Sequence, residues 1–201
     1  MPRIDLKKVL EDVAPELGLT SDDIQLILLR IQKLIQMKAT RGRDLTVLTL
    51  ACAFQYLMWP KANKCPLPPS LFLKICREKG YNVSQRDLYQ CARLFKSKEF
   101  FQDMLSPEEM LNRVWFYLKK EFKLSDDVKE YALRLIRSYR LPGTNRWGLL
   151  ATAVYVTCRY LGRNDITQTR IAQRFGVTEV TIRNIVKRMK IPSIDPYVNY
   201  G

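Results

Sequence analysis

Histidine is absent from all 201 residues. That removes the side chain most used as a general base near neutral pH and as a metal ligand. The five cysteines, Cys52, Cys65, Cys76, Cys91 and Cys158, form no CxxC pair. A four-cysteine zinc site needs closer spacing, so neither a metal nor another cofactor is expected. No glycine-rich loop of the phosphate-cradling kind occurs. These gaps argue against an enzyme; the Asp126-Asp127 pair is better read as helix-start charge than as acid–base chemistry. No apolar run approaches the roughly 20 residues that span a bilayer, so no membrane partner is expected. The start, MPRIDLKKVLEDV, is amphipathic and mixed in charge, and it carries no targeting signal. An odd cysteine count without a signal peptide points to a reducing interior: cytoplasm in a prokaryote, nucleus in a eukaryote.

Acidic residues are also in deficit. Lysine and arginine number 34 against 20 aspartate and glutamate, for a net charge of +14. From Tyr131 to Gly201 the balance is twelve against three, so that third of the chain carries +9. Such a surface favours an anionic partner, nucleic acid foremost. Apolar residues make up 47% of the chain, enough to build a packed core.

Alternating strand patterns are missing too, while apolar residues recur at i, i+3 and i+4. Helices are predicted over 5–16, 22–38, 44–58, 69–79 and 85–97, then over 107–122, 126–140, 146–161, 168–175 and 179–190. Ser21 and Ser125 stand before acidic pairs as candidate N-caps, and Ser84 with Asp87 resembles a capping box. Thr167 and Thr178 are candidate caps of the last two helices. Gly162 and Gly176 fit the left-handed position past a helix end. Cys52, Cys76, Cys91 and Cys158 fall at apolar helical positions, and Trp59, Trp115 and Trp147 read as packing residues.

The two halves echo each other. TSDDIQLILLRIQKL (20–34) matches LSDDVKEYALRLIRS (124–138), and the helix ending AFQYL matches the one ending TCRYL. FLKICREKGYNVSQRDLYQCARLF (72–95) echoes TRIAQRFGVTEVTIRNIVKRM (169–189) with a longer turn. The expected architecture is all-α: tandem repeats of five helices, offset by about 104 residues, over 1–100 and 104–193, with a tail at 194–201. Pro107 is placed to open the second repeat.

Residues 167–190, TQTRIAQRFGVTEVTIRNIVKRMK, read as a helix-turn-helix. At about 100° per residue, Ile182, Ile185, Val186 and Met189 share one side of the second helix. Val180, Arg183, Asn184 and Lys187 share the other. Arginine can pair with guanine, asparagine with adenine, and valine can touch a thymine methyl. Lys187, Arg188 and Lys190 suit phosphates, as do Thr167, Gln168 and Arg170 at the start of the first motif helix.

Two five-helix repeats, the second ending in GVTEVTIRN, resemble the cyclin-like core of transcription initiation factor B of archaea and of eukaryotic initiation factor IIB. LLATAVYVTCRYLG (149–162) and KATRGRDLTVLTLACAFQYL (38–57) extend the likeness over most of the chain. The resemblance implies tandem cyclin-like folds that bind double-stranded promoter DNA together with TATA-box-binding protein. It implies base contacts by Val180 and Arg183 just upstream of the TATA box. It also places Gly42 and Arg43 where the first repeat approaches a minor groove downstream, and Arg41 flanks the same glycine. Arg140 and Arg146 flank the corresponding loop of the second repeat. RNA polymerase is a further partner in this family. The family's zinc ribbon and linker are not among these residues, so the chain is either a core or a ribbonless relative. Met58–Pro69, MWPKANKCPLPP, is longer than the equivalent turn of the second repeat. The first repeat's own motif, YNVSQRDLYQCARLF, keeps a cap without the base-reading residues.

Two other readings use the same residues: a stand-alone helix-turn-helix regulator, and a cyclin-like protein-binding scaffold with an incidental basic surface. Because the duplication already supplies two-sided binding, a monomer is expected.

Overall fold

Two helices have no polar face, and each gathers a unit around itself. In Leu45–Leu57, every residue from Leu48 to Leu57 is buried. In Arg146–Tyr160, Trp147–Val154 and Val156–Cys158 are buried. A helix apolar on all sides must lie inside a bundle, and amphipathic helices surround each one.

The computed structural model describes residues 5–98, 100–101, 103–139 and 144–191. The tail at 194–201 and Arg140 lie outside the described residues. The chain divides into two units, Met1–Leu105 and Ser106–Gly201. The first holds α1 (Leu6–Leu17), α2 (Ser21–Gln36), α3 (Leu45–Leu57), α4 (Pro69–Glu78) and α5 (Gln85–Ser97). The second holds α6 (Pro107–Phe122), α7 (Asp126–Ser138), α8 (Arg146–Tyr160), α9 (Gln168–Phe175) and α10 (Glu179–Met189). Among the described residues there is no strand, and the fold is all-α as expected, with five α-helices in each unit.

In the first unit α1, α2 and α5 pack against α3; in the second, α6, α7, α9 and α10 pack against α8. Most starts are capped as the sequence indicates. Ser84 and Asp87 form a reciprocal capping box, and so do Ser106 and Glu109 with Pro107 in the first turn. Two caps differ. The α2 cap is Thr20, because its hydroxyl and the Asp23 carboxylate satisfy each other's backbone amides, leaving Ser21 inside the helix. Ser125 precedes α7 but makes no side-chain cap bond. The neighbouring Asp126 carboxylate accepts from Trp115 Nε1 at 3.2 Å and from Lys119 Nζ at 2.7 Å.

The long segment after α3 is tied down rather than loose. It makes a 3-10 turn at Pro60–Ala62. Lys64 Nζ then reaches back to Asp23 Oδ2 at 2.5 Å and to the Gly18 carbonyl at 3.0 Å. Asp23 also accepts from Tyr56 Oη at 2.6 Å and from the Thr20 amide at 2.7 Å. Burial works against this carboxylate, but the bonds from Lys64, Thr20 and Tyr56 outweigh it and hold its pKa down at about 2.

Candidate nucleic-acid interface

The chain turns between α9 and α10 at Gly176, whose φ of +62° puts it in the left-handed region. Thr167 Oγ1 accepts from the Arg170 amide at 3.3 Å and Thr178 Oγ1 from the Thr181 amide at 3.1 Å, so each helix starts on its own threonine. Below them, Arg163 donates to the Phe122 and Lys123 carbonyls at 3.0 Å each and pairs with Asp165 at 2.8 Å. This clamps the loop before the motif to the end of α6.

α10 buries Ile182, Ile185, Val186 and Met189. The opposite face carries Val180, 53% exposed, with Asn184, Lys187 and Lys190 also exposed. From Thr167 to Ile191 six basic residues (Arg170, Arg174, Arg183, Lys187, Arg188, Lys190) stand against one acid, Glu179. The motif is therefore net positive, with Arg174 paired to Glu121 of α6 at 2.9 Å and Glu179 the one acidic exception within the segment.

That exception touches the central arginine. Arg183 is half-buried, its Nη1 3.4 Å from Gln168 Oε1 and 3.6 Å from Glu179 Oε2. Glu179 Oε1 meanwhile accepts from Thr169 Oγ1 at 2.8 Å. Arg183 thus rests against α9, with an open side beside Asn184. Sequence reasoning identifies Arg183 but misses this holder, because it depends on how α9 and α10 cross.

The remaining candidates divide by what else they do. Lys187 and Lys190 are exposed, and Lys190 ends the helix at a φ of +49°. Arg188 donates to Thr144 Oγ1 at 2.9 Å. Arg170 stacks on the Phe122 ring at 5.1 Å while staying exposed. The Thr167 hydroxyl is committed to its cap. Gln168 is half-buried; its Oε1 faces Arg183 and its Nε2 is buried without a partner. In the first unit Arg41, Gly42 and Arg43 are all exposed between α2 and α3, and Gly42 has a φ of +72°. The next residue, Asp44, caps α3 by accepting from the Thr46 and Val47 amides. The structure keeps these three in one loop of one unit, and the α9–α10 residues in the other.

One positioning residue escaped the sequence reading. A Cβ built on Gly148 of α8 meets Ile185 Cδ1 and Thr181 Cγ2 of α10, each at 2.9 Å. Only a glycine lets α10 seat this closely. The available signal is a glycine inside a helical run, where it costs about 1 kcal/mol relative to alanine and so invites a packing explanation.

No group of three or more cysteines or acids is placed to hold a metal ion among the described residues. Among the described residues no disulfide joins two cysteines, and burial pushes the thiols of Cys52 and Cys76 up to about 12 and that of Cys158 up to about 11. These are inert core groups. No helix among the described residues is long and apolar enough to cross a membrane.

Residues 102–191 match the family described as "Transcription factor TFIIB repeat". The chain is 25% identical over 191 residues to transcription initiation factor IIB of Pyrobaculum neutrophilum, covering 92% of this chain and 54% of that protein. It is 27% identical over 186 residues to transcription initiation factor IIB 2 of Thermoplasma acidophilum, covering 90% of this chain and 57% of that protein. It therefore spans about half the length of the curated relatives it matches. Residues 102–191, most of the second unit, are thus similar to the TFIIB repeat, and the chain as a whole resembles archaeal transcription initiation factor IIB.

Proposed function

We propose that this chain is the promoter-binding part of an initiation factor, recognising DNA beside a TATA box together with TATA-box-binding protein. α10 enters the major groove, Val180, Arg183 and Asn184 meet base edges, and Lys187, Arg188 and Lys190 hold phosphates. Arg170 and the Thr167–Gln168 start of α9 approach the backbone. The loop Arg41–Gly42–Arg43 enters a minor groove, where negative potential draws arginine. The observation that carries this reading is the split of α10: four apolar side chains buried, and Val180, Asn184 and Lys187 exposed beside a half-open Arg183. The kinship with initiation factor IIB supports the promoter and the protein partner, and RNA polymerase follows on the same ground.

Gel shifts test this directly. Binding to a TATA fragment alone is expected to be weak, and strong and oriented once TATA-box-binding protein is added. Equal affinity with and without that protein indicates a stand-alone regulator. No binding even at about 50 mM salt, where electrostatic contacts are strongest, indicates a protein scaffold. Arg183→Ala relaxes preference at one base position, whereas Lys187→Ala weakens all sites alike and lowers the salt slope by about one. Identical effects from the two changes refute the assigned roles.

A further inference from the structure

α5 occupies in the first unit the place α10 occupies in the second: last helix, threonine or serine cap, packed on the central helix. Counted from the caps Ser84 and Thr178, the three buried residues of α5 coincide with three of the four of α10, Val186 matching the half-buried Ala92. Leu88 stands with Ile182, Cys91 with Ile185 and Phe95 with Met189. The outward positions then coincide as well. Where α10 carries Val180, Arg183, Asn184 and Lys187, α5 carries Arg86, Tyr89, Gln90 and Arg93, all exposed. These four span about 100° of the helix surface. With Gln85 they line a surface groove of about 560 Å³.

We propose that α5 is a second duplex-reading helix, presenting Arg86, Tyr89, Gln90 and Arg93 to a major groove of its own. The residues differ from those of α10, yet their chemistry is at least as able to read bases. Arg86 and Arg93 carry planar forks that match guanine, and Gln90 offers the paired donor and acceptor that match adenine. Tyr89 has a hydroxyl for phosphate, steadied by Gln85 Nε2 at 3.1 Å. None of these outward residues of α5 is acidic. The nearest acid, Asp87, is turned to its cap, accepting from the Ser84 amide at 2.9 Å and its hydroxyl at 2.6 Å. Arg86 and Arg93 have no ion-pair partner among the described residues, in contrast to Arg183 with Glu179.

The basic edge continues beyond the helix. α5 packs on α3, and the Arg41–Gly42–Arg43 loop leads into α3. The charge of Arg43 reaches Cys91 of α5, favouring its thiolate against the burial that raises it. An acidic peptide is the other anionic partner to weigh. Amphipathic peptides dock through apolar anchors in a hydrophobic groove. The face offers none, since Tyr89 is the one large apolar side chain of α5 that is well exposed.

This inference takes its register from α10 and so rests on the reading of that helix, and the following experiment separates the two. The whole chain selects binding sites from a pool of random-sequence DNA duplexes, and selected sites are footprinted. Wild type is expected to select two separated blocks of base preference. Arg86→Ala with Gln90→Ala should erase one block, lower affinity about tenfold or more and spare the other. Arg183→Ala should do the converse. Arg86→Lys keeps the charge but loses the fork, so it should retain affinity better than selectivity. These are exposed positions, and an unchanged melting curve confirms that the variants fold. If the Arg86/Gln90 variant selects the same sites at the same affinity, α5 does not read DNA. If that variant instead loses only capture by immobilised polyglutamate, α5 is a peptide site and the inference is overturned. If Arg183→Ala changes nothing while the Arg86/Gln90 variant loses its block, the reading of α10 fails and that of α5 stands.

Discussion

Replacing Gly148 by alanine sets two physical effects against each other with opposite signs. Alanine in a helix interior is favoured over glycine by about 1 kcal/mol, so propensity alone predicts a more stable protein. The added Cβ, however, stands 2.9 Å from both Ile185 Cδ1 and Thr181 Cγ2. Carbon pairs prefer about 3.5–4.0 Å, so α10 or its side chains must give by more than about half an ångström. Ile185 can swing its terminal methyl aside. Thr181 is less free: it is β-branched, and its hydroxyl lies 2.9 Å from that of Thr178. Overpacking of this kind costs about 1–3 kcal/mol. We expect a net loss of about 1 kcal/mol, a fall of about 4–8 °C in the melting temperature of a unit this size. Hydrogen exchange over 179–189 should rise in step, which localises the loss to α10. Thr181→Ser or Ile185→Val removes one clashing methyl and should cost less in the alanine background than in wild type, a coupling that a double-mutant cycle measures. A rise in melting temperature for Gly148→Ala alone refutes the close-approach account, because propensity would then have decided the outcome.

Two further outcomes follow from charges. The Asp23 carboxyl falls from its ordinary value near 3.8 to about 2 on folding, which contributes on the order of 2 kcal/mol. The folded pKa is the lower one, so this stability is present above about pH 4 and drains away as pH falls through 2. Asp23→Asn should flatten the acid limb of a pH–stability curve for the first unit, and an unaltered limb refutes the assignment. Glu179→Gln removes the acid that holds Arg183 and adds one net positive charge to the interface. Filter binding at low salt should show affinity for duplex DNA rising by about two- to tenfold, with stability changed by less than about 1 kcal/mol because the pair is partly exposed. Unchanged or weaker binding means that Glu179 positions Arg183 for its task instead of restraining it.

Nearly all of the secondary structure is legible in the sequence. The ten helices fall within about two residues of their expected ends, since 3.6-residue periodicity and cap residues are local signals. Where the reading slipped, it slipped at helix ends, by one or two residues. α2 stops at Gln36 and Lys38 takes a φ of +55°; α7 stops at Ser138, short of the expected 140. Ser21 yields to Thr20 because the reciprocal box with Asp23 needs the residue three positions back. At the interface the amphipathic split of α10 is written in its spacing. The attachment of Arg183 to Gln168 and Glu179 is not, nor is the seat of Ile185 over Gly148, because both arise where two helices cross.

The same crossing explains how one scaffold carries two different outer faces. Counted from the caps Asp44 and Asn145, Gly148 of α8 holds the position that Val47 holds in α3. Counted from Ser84 and Thr178, Ile185 of α10 holds the position of Cys91 in α5. In the first unit the central helix brings the larger side chain and the last helix the smaller; in the second the sizes are exchanged. Interiors are packed at near-crystalline density, so a gain on one helix must be met by a loss on the other. Summed over the two matched positions, side-chain volume is thereby kept within about one methyl group while the identities swap. The last helix can then seat against the central one in each unit, and its outward residues face away from that contact. That separation is why Arg86, Tyr89, Gln90 and Arg93 can stand in the register of Val180, Arg183, Asn184 and Lys187 without disturbing the fold beneath.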